Sequence, residues 1–553
     1  MSDPRKHVGV IISLVVIVGL STPTAAEQAT IREGTALAKL VAEVSTNTPE
    51  ITVAAAAPPK LDIPPWLAAH YRRNHSELPK AALQLDPTGG YPMVLENLYV
   101  WMLRNQDLKA PPAPEFKAAS AVTVGPNVRI SGANDTPRSE SDIQINFTNP
   151  QQIIAASNNI GNGRQAHFFS SDGGATWGQT TLPLLSADSL HSDPTVSWTS
   201  DGTAWATTIG INADSTVLQM RAYKSTDGGK TWVFDATFSG DQTSADKQLT
   251  WVDRSATSPF KDRIYVIWHN GRPAFVSFRN NQGWHAPIRV SGAETTGTAI
   301  GSDITTNAGG HVFAVWPDTG SRGLYFVKST DGGNTFSSPL LIGKTFATFQ
   351  INVPAFAKRA ALVGVSIGAF GNNVYVSWVD LSGEDGCRTP GSEPRENADS
   401  NCKSRIWFAS STDGGQSWST PAHINAEADR TDQFSQRLAV DPDTGHTGII
   451  YYNTGTGGDR KKTNLMFQFS TDAGKTWSKP TKVTTAMTDE TTVDADNGNQ
   501  YGDYNGLSVV RRVFFPCWTD RRDNGSEEIY TAKITLKQTS PTAFEAVVVA
   551  GGG

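Results

Sequence analysis

Short polar strings recur at one place in this chain, at the head of apolar segments that repeat along it. They are Glu140-Ser141-Asp142, His191-Ser192-Asp193, Asp246-Lys247, Ser302-Asp303, Ser435-Gln436-Arg437 and the run from Tyr501 to Leu507. Carboxylates, phenols and cations are the groups that general acid–base and nucleophilic catalysis employ. Tyr504 beside Asp503 is the expected reactive position, since a phenol next to a base can act as nucleophile or acid, or can wall a pocket as an amphipathic ring. Asp142 and Asp193 are the further expected catalytic carboxylates. Lys247, Arg254 and Arg437 are the expected cations for an acidic ligand group, because ammonium and guanidinium groups make charge-assisted bonds to carboxylates. Asp303, Tyr501 and Asn505 complete the expected binding set. Each of these groups can equally cap a strand end or a turn N–H. Arg521-Arg522 reads the same way, as an inward-facing pair or a salt-bridged loop.

Elements that could position such residues are legible as a repeat. One pattern occurs five times, starting at Ser170, Ser225, Ser329, Ser411 and Ser470, as in Ser225-Thr226-Asp227-Gly228-Gly229-Lys230-Thr231-Trp232. A decayed copy at Ser277–Trp284 keeps only a turn and the aromatic residue. Successive starts lie 55, 52, 52, 82 and 59 residues apart, and periods near 50 indicate propellers or arrays. The chemistry is that of a tight hairpin. Ser and Asp bond local backbone groups, Gly supplies positive φ, and Trp covers the turn. A short apolar strand lies upstream of each copy, for example Ile264-Tyr265-Val266-Ile267-Trp268, and a seventh, Val513-Phe514-Phe515, has no pattern after it. Each unit alone would expose an apolar sheet face, and radial stacking in a ring would bury it. The expected fold is therefore all-β: a seven-bladed β-propeller, with six blades as the alternative. Residues 121–130 are expected to pair with residues 508–534 and close the ring. Propeller ligands sit at one end of the central channel, so the polar heads of the innermost strands are the ones to watch.

The repeated string S-x-D-x-G-x-T-W is the Asp-box, and from about residue 120 to 535 the chain resembles the sialidase-like Asp-box propellers. The resemblance implies a structural role for the boxes at the propeller rim. It also implies a pocket with three arginines for a sugar carboxylate, a Tyr nucleophile assisted by Glu, and an Asp acid/base. The early Phe/Tyr-Arg-Ile-Pro motif of such proteins is absent, and Val128-Arg129-Ile130-Ser131 keeps only Arg-Ile. Two functions are expected. One is an exported glycoside hydrolase, or a lyase, acting on a terminal acidic sugar of a glycan. The other is a non-catalytic glycan- or protein-binding propeller at the cell surface.

The full chain has 553 residues and net charge -6, with 18% charged residues and 50 Gly. That composition argues for a folded, turn-rich protein and against general nucleic-acid binding. Arg5 and Lys6 precede an apolar run from Val8 to Leu20, and small residues follow it. This is the pattern of a secretory signal peptide over residues 1–26, so a secreted, periplasmic or cell-surface protein without a transmembrane segment is expected. Residues 27–119 read as a small helical region with Pro/Ala-rich linkers, 120–536 as the propeller and 537–553 as a tail. Export makes a Cys387–Cys402 pair feasible, while Cys517, in Phe514-Phe515-Pro516-Cys517-Trp518, reads as a buried thiol. No cofactor is expected. Asp494-Ala495-Asp496-Asn497-Gly498 resembles the opening of a calcium loop but has Asn505 where the twelfth-position Glu would stand. A glycan is the expected partner and a monomer the expected state.

Overall fold

The computed structural model describes residues 122–132, 136–159, 163–425, 429–456, 458–522 and 525–537. The expected signal peptide, N-terminal helices and C-terminal tail lie outside these residues. Every regular element among the described residues is a strand. Seven antiparallel sheets, numbered here as blades 1 to 7 in chain order, stand around one axis. Their innermost strands are Asp142–Ile145, Leu190–Trp198, Ala245–Val252, Asp303–Thr306, Val365–Phe370, Gln433–Val440 and Gly506–Val510. Each packs beside the next, and the seventh packs against the first, so the ring is closed with seven blades rather than six.

The closure is made by the two ends of the propeller. Val128–Arg129 pairs with Glu528–Thr531 (Val128↔Thr531) and supplies the outermost strand of blade 7. Val122–Val124 pairs with Ile534–Leu536 (Val122↔Leu536). Blade 7 lacks a box for this reason. Its fourth strand arrives from the other end of the chain, so there is no hairpin to cap.

In blades 1, 2, 4, 5 and 6 the box joins the third strand to the fourth. In blade 1, Ser170 Oγ donates to Asp172 Oδ1 (2.8 Å) and accepts the Gly174 N–H (2.9 Å). Asp172 in turn accepts the N–H (2.9 Å) and hydroxyl (2.5 Å) of Thr176. Asp227, Asp331, Asp413 and Asp472 repeat this wiring. The box aromatic leans on the preceding blade: Trp418 on Phe326 and Trp477 on Phe408, both with ring centroids 5.1 Å apart. Each box is therefore also an inter-blade staple.

The decayed copy is a two-residue hairpin between Ala274–Asn280 and Gly283–Trp284. The extra length between the third and fourth boxes divides in two. Residues 345–364 form a loop carrying a small sheet of Gln350–Ile351 and Ala361–Leu362. Residues 382–403 form a loop closed by a Cys387–Cys402 disulfide. Cys517 is a buried free thiol.

The core lies between blades and is rich in aromatic residues; Trp198, Trp268, Trp316, Trp378, Trp407 and Trp518 are fully buried. Carboxylates stitch the inner strands together. Asp142 accepts the N–H of Ile143 and, across the blade boundary, of Val196, both at 2.9 Å. Asp303 likewise accepts Ile304 (2.8 Å) and, in blade 5, Ile367 (2.9 Å).

Two predictions follow from the staples. Gly229 sits at φ 89°, and a Cβ there would lie 2.7 Å from Ile154 Cγ2 of blade 1. Gly229→Ala is expected to lower stability by about 2–3 kcal/mol through backbone strain and overlap, read as a reduced midpoint in urea unfolding. The hydroxyl and amide of Thr176 hold Asp172 at about 2, and Thr231 and Ser225 overcome burial to hold Asp227 there as well. Carboxyls depressed in the folded state contribute stability above their unfolded value, near 4, and lose it as pH falls towards 2. Thermal midpoints are expected to drop across that window, and Asp227→Asn should flatten the slope.

Candidate functional site

The inner strands start at one end of the channel and finish at the other. At the starting end the backbone makes the same left-handed kink in five blades, two residues before the continuous ladder of the inner strand begins. The kinked residues are Glu140, Asp193, Lys247, Gly301 and Ser435, with φ between 48° and 81°. In blades 2, 3 and 6 the kink is a β-bulge. Left-handed backbone costs a residue with a Cβ roughly 1–2 kcal/mol, and bulges re-aim side chains. Here the kink turns Glu140, Asp193 and Lys247, from three consecutive blades, toward one point.

Blade 7 adds Asp503 and Tyr504, and the 345–364 loop adds Arg359. Lys247 Nζ binds Asp503 Oδ2 and lies 3.3 Å from Asp193 Oδ2 and 3.7 Å from Glu140 Oε1. Arg359 Nη2 binds Asp503 Oδ1 and lies 3.1 Å from Glu140 Oε1. Asn158 donates to Glu140 Oε2 (2.5 Å) and accepts the Asp193 N–H (2.9 Å). The Lys247 ammonium stands 5.3 Å from the Tyr504 ring centroid, and Tyr504 donates its hydroxyl to Pro194 O at 3.2 Å.

The two carboxyls that share both cations are pushed apart. Burial, assisted by Asp193 and Asp503, outweighs Lys247 and Arg359 and lifts Glu140 to about 8. For Asp503 burial acts in the same sense, but Lys247 and Arg359 overcome it and hold it at about 2. Burial would also weaken the Lys247 ammonium, yet Asp193, Asp503 and Glu140 keep it charged. Burial and the surrounding carboxylates push the Tyr504 phenol well above its usual range, so it stays protonated and can serve as donor or wall.

Of the residues expected from sequence, the structure brings together Asp193, Lys247, Asp503 and Tyr504. Asp142 lies deeper in the ring, with both oxygens taken by backbone amides. Arg437 lies beside it in the channel and pairs with Asp303 at 3.0 Å. Arg254 lies toward the finishing end. Asn505 is buried between Ser435 O (3.1 Å) and the Tyr452 hydroxyl (3.3 Å). Tyr501 is fully buried among Phe356, Phe434 and Tyr452 and touches no part of the channel cluster. Gly502, at φ 71°, turns the chain between Tyr501 and Asp503, so one faces the core and the other the mouth.

Arg359 and Asn158 were not expected. Arg359 sits in an insertion that interrupts the repeat, and Asn158 follows a second strand, so neither heads an inner strand. Arg129, the remnant of the arginine motif, is exposed on the outermost strand of blade 7, far from the channel. Arg522 pairs with Asp520 at 2.5 Å and Arg521 with Glu527 at 3.7 Å, as a salt-bridged loop. Asp496 Oδ1 is taken by the N–H groups of Gly498 and Asn499. Among the described residues no group of three or more His, Cys, Asp or Glu is placed to hold a metal.

Two cavities open on the channel. Beside the cluster is one of about 50 Å³, lined by Lys247, Asp503, Tyr504 and Arg437 among others. At the finishing end is one of about 470 Å³.

The BNR/Asp-box repeat family matches residues 468–479, which contain the fifth box. No curated protein matches the chain. Among solved structures, the chain is similar to the alpha-L-arabinanase of Penicillium chrysogenum at 12% identity and TM-score 0.42, over 76% of this chain and 100% of that one. It is similar to an alpha-L-arabinofuranosidase from Fusarium graminearum at 13% identity and TM-score 0.38, over 73% and 99%. The likeness to the leech intramolecular trans-sialidase is 15% with TM-score 0.37, over 75% and 70%. Boxes of one wiring on five blades of a closed ring, one of them matched by the repeat family, make this chain an Asp-box β-propeller.

Proposed function

We propose that the protein is an exported, carbohydrate-directed hydrolase whose chemistry sits at the starting mouth of the channel. The observation that carries this reading is geometric: Glu140 of blade 1 and Asp503 of blade 7 converge on Lys247 and Arg359 at the channel mouth, beside Tyr504. Two neighbouring carboxyls with separated affinities for the proton are how a site assigns acid and base roles. Glu140 keeps its proton at neutral pH and serves as the acid that protonates a departing glycosidic oxygen. Asp503 stays ionised and faces the developing positive charge on the sugar. Both reach the same Arg359 nitrogen, so the two carboxyls face one point of the mouth. Tyr504 supplies a sugar-facing wall and a hydroxyl. Lys247 and Arg359 orient the carboxylates, and for an acidic sugar one of them would exchange a carboxylate partner for the ligand's own. Export is supported by the basic-then-apolar start of the sequence and by the Cys387–Cys402 disulfide, which suits an oxidising compartment.

A specific observation favours a second reading, a glycan- or protein-binding propeller without turnover. The charged groups of the cluster satisfy one another, and the space beside them is only about 50 Å³, well under the roughly 300 Å³ of a small-ligand pocket.

A screen of the purified protein on neutral and acidic glycosides and on uronic-acid polymers separates the two readings. Hydrolysis is expected, and Asp503→Asn and Glu140→Gln should each lower kcat by about 100-fold or more. Binding without turnover across the screen would select the second reading. The pH profile gives an independent test. The acid form of Glu140 is required, so kcat/KM should be flat near neutrality and fall as pH rises through about 8. Glu140→Gln should abolish that alkaline limb. Tyr504→Phe should raise KM several-fold with a smaller change in kcat, whereas a nucleophilic Tyr would lose nearly all kcat.

A further inference from the structure

The cavity of about 470 Å³ lies at the opposite mouth, where the inner strands turn back toward the rim. Its lining includes Gln144, Trp251, Arg254, Asp303, Arg437 and Asp443. Its volume falls in the range of small-ligand sites. Its charges are unevenly matched. Asp303 is paired with Arg437 at 3.0 Å, and Asp443 faces Arg511 at 4.0 Å on the surface. Arg254 makes no ion pair among the described residues. It donates from Nη2 to the neutral Gln144 Oε1, and its buried Nε has no partner. The guanidinium lies over the Trp251 ring, 4.4 Å from the centroid, and near Phe147 at 5.9 Å. Trp251 is itself fixed by a bond from Nε1 to Thr306 Oγ1 at 2.9 Å. The nearby carboxylate of Asp142 has both oxygens committed to backbone N–H groups.

A half-buried guanidinium that bonds no carboxylate directly, feels only the committed Asp142 nearby and lies over an indole is a preorganised receptor for a planar anion. We infer that this mouth is a second ligand site, distinct from the cluster at the other end, and that it takes a small organic acid through a carboxylate on Arg254, with Trp251 holding the guanidinium in plane. The carboxylate supplies the ion pair that the fold leaves unmade. The rest of the ligand, up to the size of one or two sugar rings, fills the cavity between the turns of blades 3 to 6. A uronic acid and a simple dicarboxylate share the recognised chemistry and differ in what fills that space.

The test is calorimetric titration of the full purified protein with D-glucuronate, succinate and D-glucose. Binding of one or both acids, with no heat from glucose, is expected. Tighter glucuronate would assign the site to sugar acids, and equal affinities would mean that the carboxylate alone is read. Arg254→Gln should weaken binding at least about tenfold, and Arg254→Lys, which keeps the charge and loses the fork, should fall between. Arg129→Gln, exposed on the outermost strand of blade 7, should stay within about twofold of the unmodified protein. Unchanged thermal midpoints show that the variants are folded. Absence of acid binding, full affinity in Arg254→Gln, or equal loss in Arg129→Gln would overturn the inference.

Discussion

The ring depends on one pairing that the chain makes with itself across its whole length, Val128–Arg129 against Glu528–Thr531. Six of the blades are local: each is built from consecutive strands joined by short connections. Blade 7 is not, and without its borrowed strand it would present an open edge. Every inner strand owes its angle about the axis to closure. Three side chains from consecutive blades, and two more from blade 7, meet at one point only because the circle is complete. The asymmetry of the charged cluster follows. Glu140 from blade 1 and Asp503 from blade 7 are distant in sequence, and the closing seam makes them neighbours.

A second constraint is backbone conformation at the strand heads. A left-handed residue with a Cβ is unfavourable, and the chain accepts it at Glu140, Asp193, Lys247 and Ser435 while using Gly301 at the corresponding place of blade 4. Three of the four side chains held in this way are members of the cluster. Left-handed backbone also occurs elsewhere, as at Ser215, Asp262 and Arg322, but at the strand heads it aims charged side chains at one point. The surrounding loops bring the remaining parts: Arg359 from an insertion, and Asn158 to hold Glu140 and Asp193 in register.

The fold was legible in the sequence because box chemistry is local. A Ser, an Asp, two glycines and an aromatic residue within eight positions describe one hairpin completely, and counting hairpins and apolar strands counts blades. The strand heads were legible for the same reason, since they recur at one phase of the repeat. Direction was not. Tyr501 and Tyr504 stand three residues apart in a string that looks uniformly polar, yet the turn at Gly502 sends one into an aromatic core and the other to the mouth. Asp142 reads as a catalytic carboxylate and Asp303 as a binding one, and both serve in the fold as acceptors for amides of the adjacent blade, because an inner strand has no other partner for the N–H groups it turns toward its neighbour. Arg359 was invisible because it belongs to no repeat, and its nearness to Asp503 is fixed by the ring and not by any spacing in the chain.

The borrowed strand of blade 7 also sets an order of events during synthesis. Residues 122–129 leave the ribosome about four hundred residues before the segment that receives them. Until the two segments meet, the ring is an arc with its margins unpaired. The final docking joins distant parts of the polypeptide, a non-local contact whose loop-closure entropy has to be met before the contact contributes. Until it happens, the leading margin is open to pairing with a second nascent copy, which would yield linked arcs in place of a circle.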